Sequence, residues 1–386
     1  MHATSALAEA DRLMTVCNSC RYCEGLCAVF PAMEMRTTFT PGDLNYLANL
    51  CHGCGACYYD CQFSPPHEFN VNVPQNFSVV RNNSYSHYAW PRPLAGLFER
   101  NGLAITLIAA LSVAAFIVGF VAFNSPEILF ASHTGEGSFY RVMPHYWMVG
   151  IFGAAFFYAL LAMTMSIRAF WRDIGAEQEK AASGQTIWQA MRDTGELRYL
   201  DGGGVGCYNE DERPQDRRRL YHHATFYGFL LCFASTSTAS VYHYLGWIAP
   251  YAWHDLPVVF GTIGGIGLII GPLGLLSQKW GRDPAMMDTS RVGMDVAFIV
   301  MLFLTSLTGL LLLVLRATPA MGVLLALHLG VVFGFFITMP YGKFMHGIYR
   351  FAALVRYAYE RRRLHAPAPA RPAPLAPKLP PVGIRP

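Results

Sequence analysis

Six apolar segments of membrane-spanning length recur from residue 103 onward. They cover residues 103–123, 146–168, 222–247, 256–276, 294–315 and 320–342. Each segment is long enough to cross a hydrocarbon core of about 30 Å as an α-helix. The composition agrees with this, because 53% of the residues are hydrophobic and only 14% are charged. The sequence therefore predicts an all-α polytopic membrane protein with six transmembrane helices.

Lysine and arginine are distributed unevenly between the two sides that these segments define. Six Lys and Arg residues precede the first segment, and nine follow the last segment. The 169–221 loop contains eight, and the 277–293 loop contains three. The loops on the opposite side contain only Arg141 and Arg316. Because Lys and Arg accumulate in cytoplasmic loops, we expect both termini to lie in the cytoplasm.

Eight of the ten cysteines form two runs with the same spacing, ahead of the membrane segments. The runs are CNSCRYCEGLC, from Cys17 to Cys27, and CHGCGACYYDC, from Cys51 to Cys61. In a reducing cytoplasm, such clusters are typical of metal ligands rather than disulfides. Zinc sites usually use two separated Cys pairs, whereas three closely spaced thiolates and a more distant fourth fit a [4Fe–4S] cluster. The sequence thus predicts an α-helical head, similar to a two-cluster ferredoxin.

The two-cluster ferredoxin pattern also predicts which cysteines share a cluster, because the fourth cysteine of each run ligates the other cluster. The expected sets are Cys17, Cys20, Cys23 and Cys61 for the first cluster, and Cys51, Cys54, Cys57 and Cys27 for the second. The chain departs from the pattern in having Ala28 and Gln62 after the fourth cysteines, where proline is usual. The 23-residue insert between the runs contains a predicted helix, PGDLNYLANL. Cys207 lies in a loop that we expect to be flexible, where it is either a free thiol or close to a cluster or flavin, and we expect a free thiol. We expect Cys232 to be a small buried residue.

Histidines at matched depths of the third and sixth segments are candidate haem ligands. His222 and His223 lie at the cytoplasmic end of the third segment, and His243 lies near its outer end. His328 lies toward the outer end of the sixth segment, and His346 lies about 27 Å away on the same helix face. A bis-histidine haem takes one imidazole from each of two helices. We therefore expect one or two haems b, held by His222, or alternatively His223, with His346, and by His243 with His328. Each histidine, taken alone, could equally hydrogen-bond backbone or lipid headgroups.

These features suggest a division of the chain. The expected parts are an iron–sulfur head (1–80), a linker (81–102), a haem b membrane domain (103–346) with its cytoplasmic loop (169–221), a basic cytoplasmic helix (347–364) and a disordered Pro/Ala-rich tail (365–386). Within the membrane domain, FGTIGGIGLIIGPLG has the small-xxx-small spacing that permits close helix packing. No segment has the motifs of a flavin or nicotinamide domain. We therefore expect a partner that carries the two-electron cofactor.

Several stretches resemble the tricarballylate/citrate-utilisation B proteins, TcuB or CitB. They are the two cysteine runs with their flanks, LRYLDGGGVGC, HHATFYGFLLCF, GPLGLL and PYGKFMHGIYRFAALVRYA, and the resemblance extends to about residue 360. The chain is also similar to the membrane half of CobZ, a flavin-linked protein of cobalamin ring oxidation. The resemblance implies a bacterial inner-membrane protein with iron–sulfur clusters and haem b. Such a protein reoxidises the reduced FAD of a tricarballylate dehydrogenase (TcuA) and passes electrons toward quinone.

We therefore expect an oxidoreductase electron-transfer subunit of flavoprotein:quinone type that acts only with a partner flavoprotein. Its expected partners are a TcuA-like FAD-dependent dehydrogenase, membrane quinone and the lipid bilayer, with no nucleic acid. Two alternatives stay open. Electrons could run from quinol to a cytoplasmic acceptor, or the protein could be a redox-sensing or membrane-anchoring module without turnover. The sequence identifies no catalytic residue and no quinone site.

Overall fold

A computed structural model describes residues 4–96, 99, 102–209 and 213–364 of the chain. Within these ranges the regular structure is entirely helical, and the only β-type pairing is an isolated bridge between Cys207 and Gln215. This confirms the predicted all-α class. The predicted disordered tail, residues 365–386, lies outside the described residues.

Six helices form the N-terminal head and its connection to the membrane part. They are α1 (Ser5–Cys20), α2 (Val29–Glu34), α3 (Pro41–Leu50), α4 (Ala56–Tyr59), α5 (Val73–Tyr88) and α6 (Arg92–Ala95). The predicted helix PGDLNYLANL is confirmed as α3. It begins where Thr40 and Asp43 form a capping box, each side chain accepting a hydrogen bond from the other's backbone N–H. Helix α5 continues past residue 80, the expected boundary of the head, to Tyr88.

Six further helices are long and apolar enough to cross a membrane, as predicted. They are α7 (Leu103–Phe123), α9 (His145–Asp173), α11 (Arg217–Tyr244), α12 (Leu256–Trp280), α13 (Val292–Leu315) and α14 (Met321–Thr338). Three shorter or more polar helices complete the set: α8 (Pro126–Leu129), α10 (Gly184–Gly195) and α15 (Met345–Leu364). Helix α11 starts five residues before the predicted segment, so that its first turn includes three arginines.

Glycines bring α11 and α12 into close contact. A Cβ atom at Gly264 would lie 2.8 Å from the carbonyl oxygen of Gly228, and one at Gly271 would lie 2.6 Å from the amide nitrogen of Thr225. On the other side of α12, a Cβ at Gly265 would lie 2.9 Å from the Leu310 side chain of α13. The small-xxx-small pattern is therefore used for helix packing. Helix α13 then packs on α14, and α14 packs on α7 and α9.

Helix α15 joins the head to the membrane helices. It begins at Met345, after α14 has ended at Thr338, so His346 does not lie on the helix of His328 as expected. Helix α15 packs against α3, α9 and α10, and the side chains of Tyr349 and Ala353 are fully buried. Two arginines and two acidic residues form a buried ion network between this helix and the head. Within it, Arg36 Nε lies 2.7 Å from Asp43 Oδ1, and Arg356 Nε lies 2.9 Å from Glu360 Oε1. The part of the chain expected as a basic cytoplasmic helix is therefore a packed element of the core.

Candidate functional site

The first set of four cysteines converges at the C-terminal end of α1. Cys17 and Cys20 lie in the last turn of α1, which ends because Arg21 adopts a left-handed conformation (φ 57°). This turn brings Cys23 back toward them, and Cys61, just after α4, lines the same pocket. Burial, followed by the neighbouring thiols of Cys23, Cys61 and Cys20, raises the pKa of Cys17 to about 12. The structure thus brings together the four cysteines predicted for the first cluster.

The second set of four cysteines surrounds a separate pocket between α2, α3 and α4. Cys51 directly follows α3, Cys54 precedes α4, and Cys57 lies within α4. Cys27 lines the same pocket from the segment before α2. Two glycines with positive φ, Gly53 (60°) and Gly55 (87°), permit the tight turn between α3 and α4. Burial, followed by the thiols of Cys54 and Cys51, raises the pKa of Cys27 well above its usual value.

Both pockets fit a [4Fe–4S] cluster in the chemistry of their donors. Each offers four cysteine sulfurs, the usual ligand set of such a cluster. Backbone N–H groups also point at the sulfurs, since Gly53 donates to Cys51 Sγ (3.3 Å) and Phe63 donates to Cys61 Sγ (3.4 Å). Hydrogen bonds of this kind adjust cluster potentials. Within residues 4–96, 99, 102–209 and 213–364, no three His, Cys, Asp or Glu side chains are grouped to hold a single metal ion.

A glycine-rich loop covers the second pocket. Gly202 lies so close to α4 that an added Cβ would be 3.3 Å from the Cβ of Ala56 and 4.0 Å from Cys54 Sγ. The N–H of Tyr208 donates to the carbonyl oxygen of Cys54 (2.8 Å), and its ring stacks on Tyr59. Cys207, expected in a flexible loop, is instead buried in the same apolar cluster as Cys54 and remains a free thiol.

His222 and His346 face each other across the head-side end of the membrane helices. Their ring centres lie 6.0 Å apart, and both line a cavity of about 740 Å³ between α11, α12, α13 and α15. An iron bound to both rings, with metal–imidazole bonds of about 2 Å, places the ring centres about 6 Å apart. The His222 Nδ1 atom is buried and has no hydrogen-bond partner in the described part of the chain. The spacing of the two rings and the cavity together fit a haem held by both histidines.

The tautomer of His346 also suits a metal ligand. Its Nδ1 atom is hydrogen-bonded to the carbonyl oxygen of Lys343. A nitrogen that donates to a carbonyl carries the proton, which leaves the lone pair on Nε2. Burial, and then the charge of Arg350, lowers the pKa of His346 well below its usual value. The imidazole is therefore neutral at pH 7, as a ligand must be.

The other three candidate histidines have different partners. His223 Nε2 lies 3.2 Å from the carbonyl oxygen of Gly195 at the end of α10. His243 stacks on His145, the first residue of α9, with ring centres 3.7 Å apart. His328 Nδ1 lies 2.9 Å from the hydroxyl of Thr308 on α13. Among the described contacts, the structure brings His222 and His346 together but does not pair His243 with His328.

Four arginines connect the histidine cavity with the second cysteine pocket. Arg218 (2.6 Å) and Arg282 (2.9 Å) donate to the carbonyl oxygen of Gly53. Arg81 and Arg350 donate to the carbonyl oxygen of Cys51, each at 2.9 Å.

His52 lies between Cys51 and Gly53, whose carbonyl oxygens the arginines hold. Its side chain is buried and lines both the histidine cavity and the second cysteine pocket. The two candidate sites are therefore adjacent.

Sequence reasoning missed these arginines because they resemble ordinary charged flanks of membrane helices. A signal was nevertheless present. Arg218 precedes His222 by four residues, and Arg350 follows His346 by four residues. Residues four apart lie on one face of a helix. Each ligand candidate therefore has an arginine one turn away, on the same face and toward the head.

Comparison with known proteins agrees with this architecture. Residues 10–87 match the Fer4-like domain of citrate utilization protein B, and residues 96–367 match the citrate utilization protein B family itself. The chain is 46% identical over 362 residues to citrate utilization protein B of Escherichia coli, which covers 93% of this chain and 94% of that protein. No solved structure matches the chain. With six membrane-spanning helices behind an N-terminal head that carries two four-cysteine pockets, this chain belongs to the citrate utilization protein B family.

Proposed function

We propose that this protein is the membrane subunit that reoxidises the reduced FAD of a partner dehydrogenase and delivers the electrons to membrane quinone. The reaction balances, because FADH₂ loses two electrons and two protons, and the quinone gains two of each to become a quinol. The family and its Fer4-like domain indicate an iron–sulfur electron-transfer role. The resemblance to TcuB supports a tricarballylate dehydrogenase as the partner.

The adjacency of the two cysteine pockets and the histidine cavity carries this proposal. Cys57 lines both cysteine pockets, and His52 lines both the second pocket and the cavity. Cys17, Cys20, Cys23 and Cys61 would hold one [4Fe–4S] cluster, Cys51, Cys54, Cys57 and Cys27 the other, and His222 with His346 a haem b. When bound, these groups supply one-electron transfer, which divides the two-electron chemistry of a flavin into single steps.

Apolar side chains lie against the second cysteine pocket and line the histidine cavity. Tyr208 and Gly202 lie beside Cys54 of the second cysteine pocket. Phe229, Phe298 and Phe344 line the histidine cavity. Cys20, in contrast, is exposed, and the neighbouring Tyr22 is 72% exposed. We propose that the partner flavoprotein approaches the head at this first pocket. A haem at His243 and His328 remains a sequence prediction that the contacts of these residues do not support.

We further propose that the protein lies in a bacterial inner membrane with both termini in the cytoplasm. The Lys and Arg residues outside the apolar helices concentrate on the side that carries the head, α10 and α15. This orientation presents the cysteine pockets to a soluble cytoplasmic dehydrogenase.

The test is anaerobic mixing of the purified protein with a reduced TcuA-like flavoprotein, followed by addition of a quinone. We expect cluster signals in low-temperature EPR and a b-type α-band in absorbance to appear on mixing, and the α-band to disappear with quinone. The His346→Ala variant should lose the α-band, whereas His223→Ala should retain it.

Three results would contradict the proposal. If quinol reduces the α-band and the flavoprotein does not, electrons run toward a cytoplasmic acceptor. If the flavoprotein reduces nothing, the protein is a redox-sensing or anchoring module. If His346→Ala leaves quinone reduction unchanged, the electrons do not pass through a haem at this histidine.

A further inference from the structure

The histidine cavity has an unbalanced positive charge. Six cationic side chains line it: Arg81, Arg218, Lys279, Arg282, Lys343 and Arg350. Its wall contains two carboxylates, Asp288 and Asp295. Asp295 is paired with both lysines. In the described part of the chain, none of the four arginines forms an ion pair.

The arginines satisfy only part of their hydrogen-bonding capacity with neutral groups. A guanidinium has five N–H donors, and the carbonyl oxygens of Cys51, His52 and Gly53 accept only one or two from each arginine. The Nε atoms of Arg282 and Arg350 are buried without any partner in the described residues. Burial, and then repulsion from Arg218 and Arg81, lowers the pKa of Arg282 to about 9. A thiolate-ligated cluster in the second cysteine pocket would place negative charge on one side of these arginines, and an anion in the cavity would stabilise them on the other side.

The size and lining of the cavity indicate what kind of ligand carries that anion. The cavity holds about 740 Å³, within the usual range for a cofactor or drug-sized ligand. Its walls are apolar on the membrane side, with Phe226, Phe229 and Leu302, and cationic on the head side. His222 and His346 stand between the two regions. A ligand that matches this lining is a large, flat, apolar molecule with carboxylates along one edge.

We infer that Arg218, Arg282 and Arg350 form a carboxylate site that binds the two propionates of the haem held by His222 and His346. This inference rests on the proposed function. Guanidinium groups bind carboxylates in a planar, two-pronged geometry, and a charged partner strengthens each hydrogen bond. The same three side chains also donate to the Cys51–Gly53 segment. They would therefore position both the carboxylate edge of the haem and the backbone of the second cysteine pocket.

A free di- or tricarboxylate offers the same chemistry to these arginines, so the test must separate the two sources. The first arm needs no substitution. Full-length protein produced under haem limitation is titrated with haem b, or with haem whose propionates are methyl esters, and binding is followed by the Soret band. We expect the ester to bind about tenfold or more weakly, because it cannot accept charge-assisted hydrogen bonds as an anion.

The second arm uses Arg350→Gln and Arg282→Gln, with Arg192→Gln as a matched control, since Arg192 is exposed on α10. We expect each cavity variant to weaken binding of haem b about tenfold, to bind the ester as the parent protein does, and to change the haem midpoint potential. The control should behave as the parent does. Cluster EPR signals report whether the second cysteine pocket stays intact in each variant.

Equal binding of haem b and its ester by the parent protein would overturn the inference, whatever the variants do. A second outcome would also overturn the inference. If citrate or succinate stabilises the haem-free protein only when Arg350 is present, and esterification of the propionates does not weaken haem binding, the anion is a free carboxylate. If neither form of haem binds, and His346→Ala changes nothing, the haem itself is absent. In that case the proposed function fails, and the carboxylate site fails with it.

Discussion

Arg36 of the head and Glu360 of α15, 324 residues apart in the chain, form an ion pair with 2.5 Å between Nη2 and Oε1. Only about a tenth of either side chain is exposed. The other oxygen of Glu360 accepts a hydrogen bond from the hydroxyl of Tyr46 (2.9 Å). A single carboxylate thus connects the insert between the two cysteine runs with the last described helix.

Replacing Glu360 by Gln should destabilise the attachment of the head. Without this charge, Arg36 and Arg356 would share the single carboxylate of Asp43, so we expect a cost below the about 3–5 kcal/mol of a fully uncompensated buried charge. We expect a correspondingly lower midpoint in urea unfolding, measured by the loss of cluster absorbance. Glu196→Gln is the matched control, because the Glu196–Arg192 pair is exposed and should have little effect. Equal midpoints for the two variants would show that the network does not hold the head.

Loss of His346 or His222 should remove the haem. His346→Ala and His222→Ala each delete one of the two proposed haem ligands. We expect the haem content, measured as the pyridine haemochrome, to fall to a small fraction of that in the parent protein. His223→Ala should retain the full content, because its ring is directed to Gly195 of α10. A retained haem in His346→Ala, together with its loss in His243→Ala, would move the site to the other end of α11.

The crossed assignment of cysteines can be tested by single substitutions. Cys61→Ser should abolish the first cluster and leave the second, and Cys27→Ser should do the opposite. In each case about half of the roughly eight irons should be lost, and EPR should show which signal remains. Cys207→Ser is the control and should keep both clusters, since Cys207 lies beside Cys54 without belonging to either set. If Cys61→Ser and Cys27→Ser lose the same signal, the assignment is wrong.

The contact between α11 and α12 should not tolerate a methyl group. In Gly264→Ala the new Cβ would lie 2.8 Å from the amide nitrogen of Cys232 and the carbonyl oxygen of Gly228. Neither backbone atom can move freely, so we expect the free energy of unfolding to fall by about 1–3 kcal/mol. The thermal unfolding midpoint, followed by the haem absorbance, should fall with it. Gly150→Ala on α9 meets nothing within 4 Å and should leave the midpoint unchanged.

The sequence predicted the six long helices and showed the two cysteine runs because both signals are local. A bilayer requires about 20 consecutive apolar residues, and cluster ligation requires cysteines at short, fixed intervals. The pairing of His222 with His346 was also among the expectations, since helix ends at one membrane surface lie at similar depth.

The remaining features depend on which helix faces which. Helical periodicity gave the position of His243 on α11, but it could not show that His145 of α9 would stack on it. For the same reason Arg218 and Arg350 resembled membrane flanks, although they point into a cavity. Ion pairs connect α15 to residues of the head more than 300 positions earlier in the chain. No local pattern in the sequence reports contacts at such a separation.

The Cys51–Gly53 tripeptide is held by side chains that the ribosome adds at very different times. Arg81 emerges about thirty residues later, but Arg218 and Arg282 follow only when α11 and α12 are made, and Arg350 comes from α15 near the end of synthesis. Before α11 is made, the backbone of the second cysteine pocket has one of its four anchors, and before α15 is made it has three. The second cysteine pocket is therefore fully anchored only once α15 has been made.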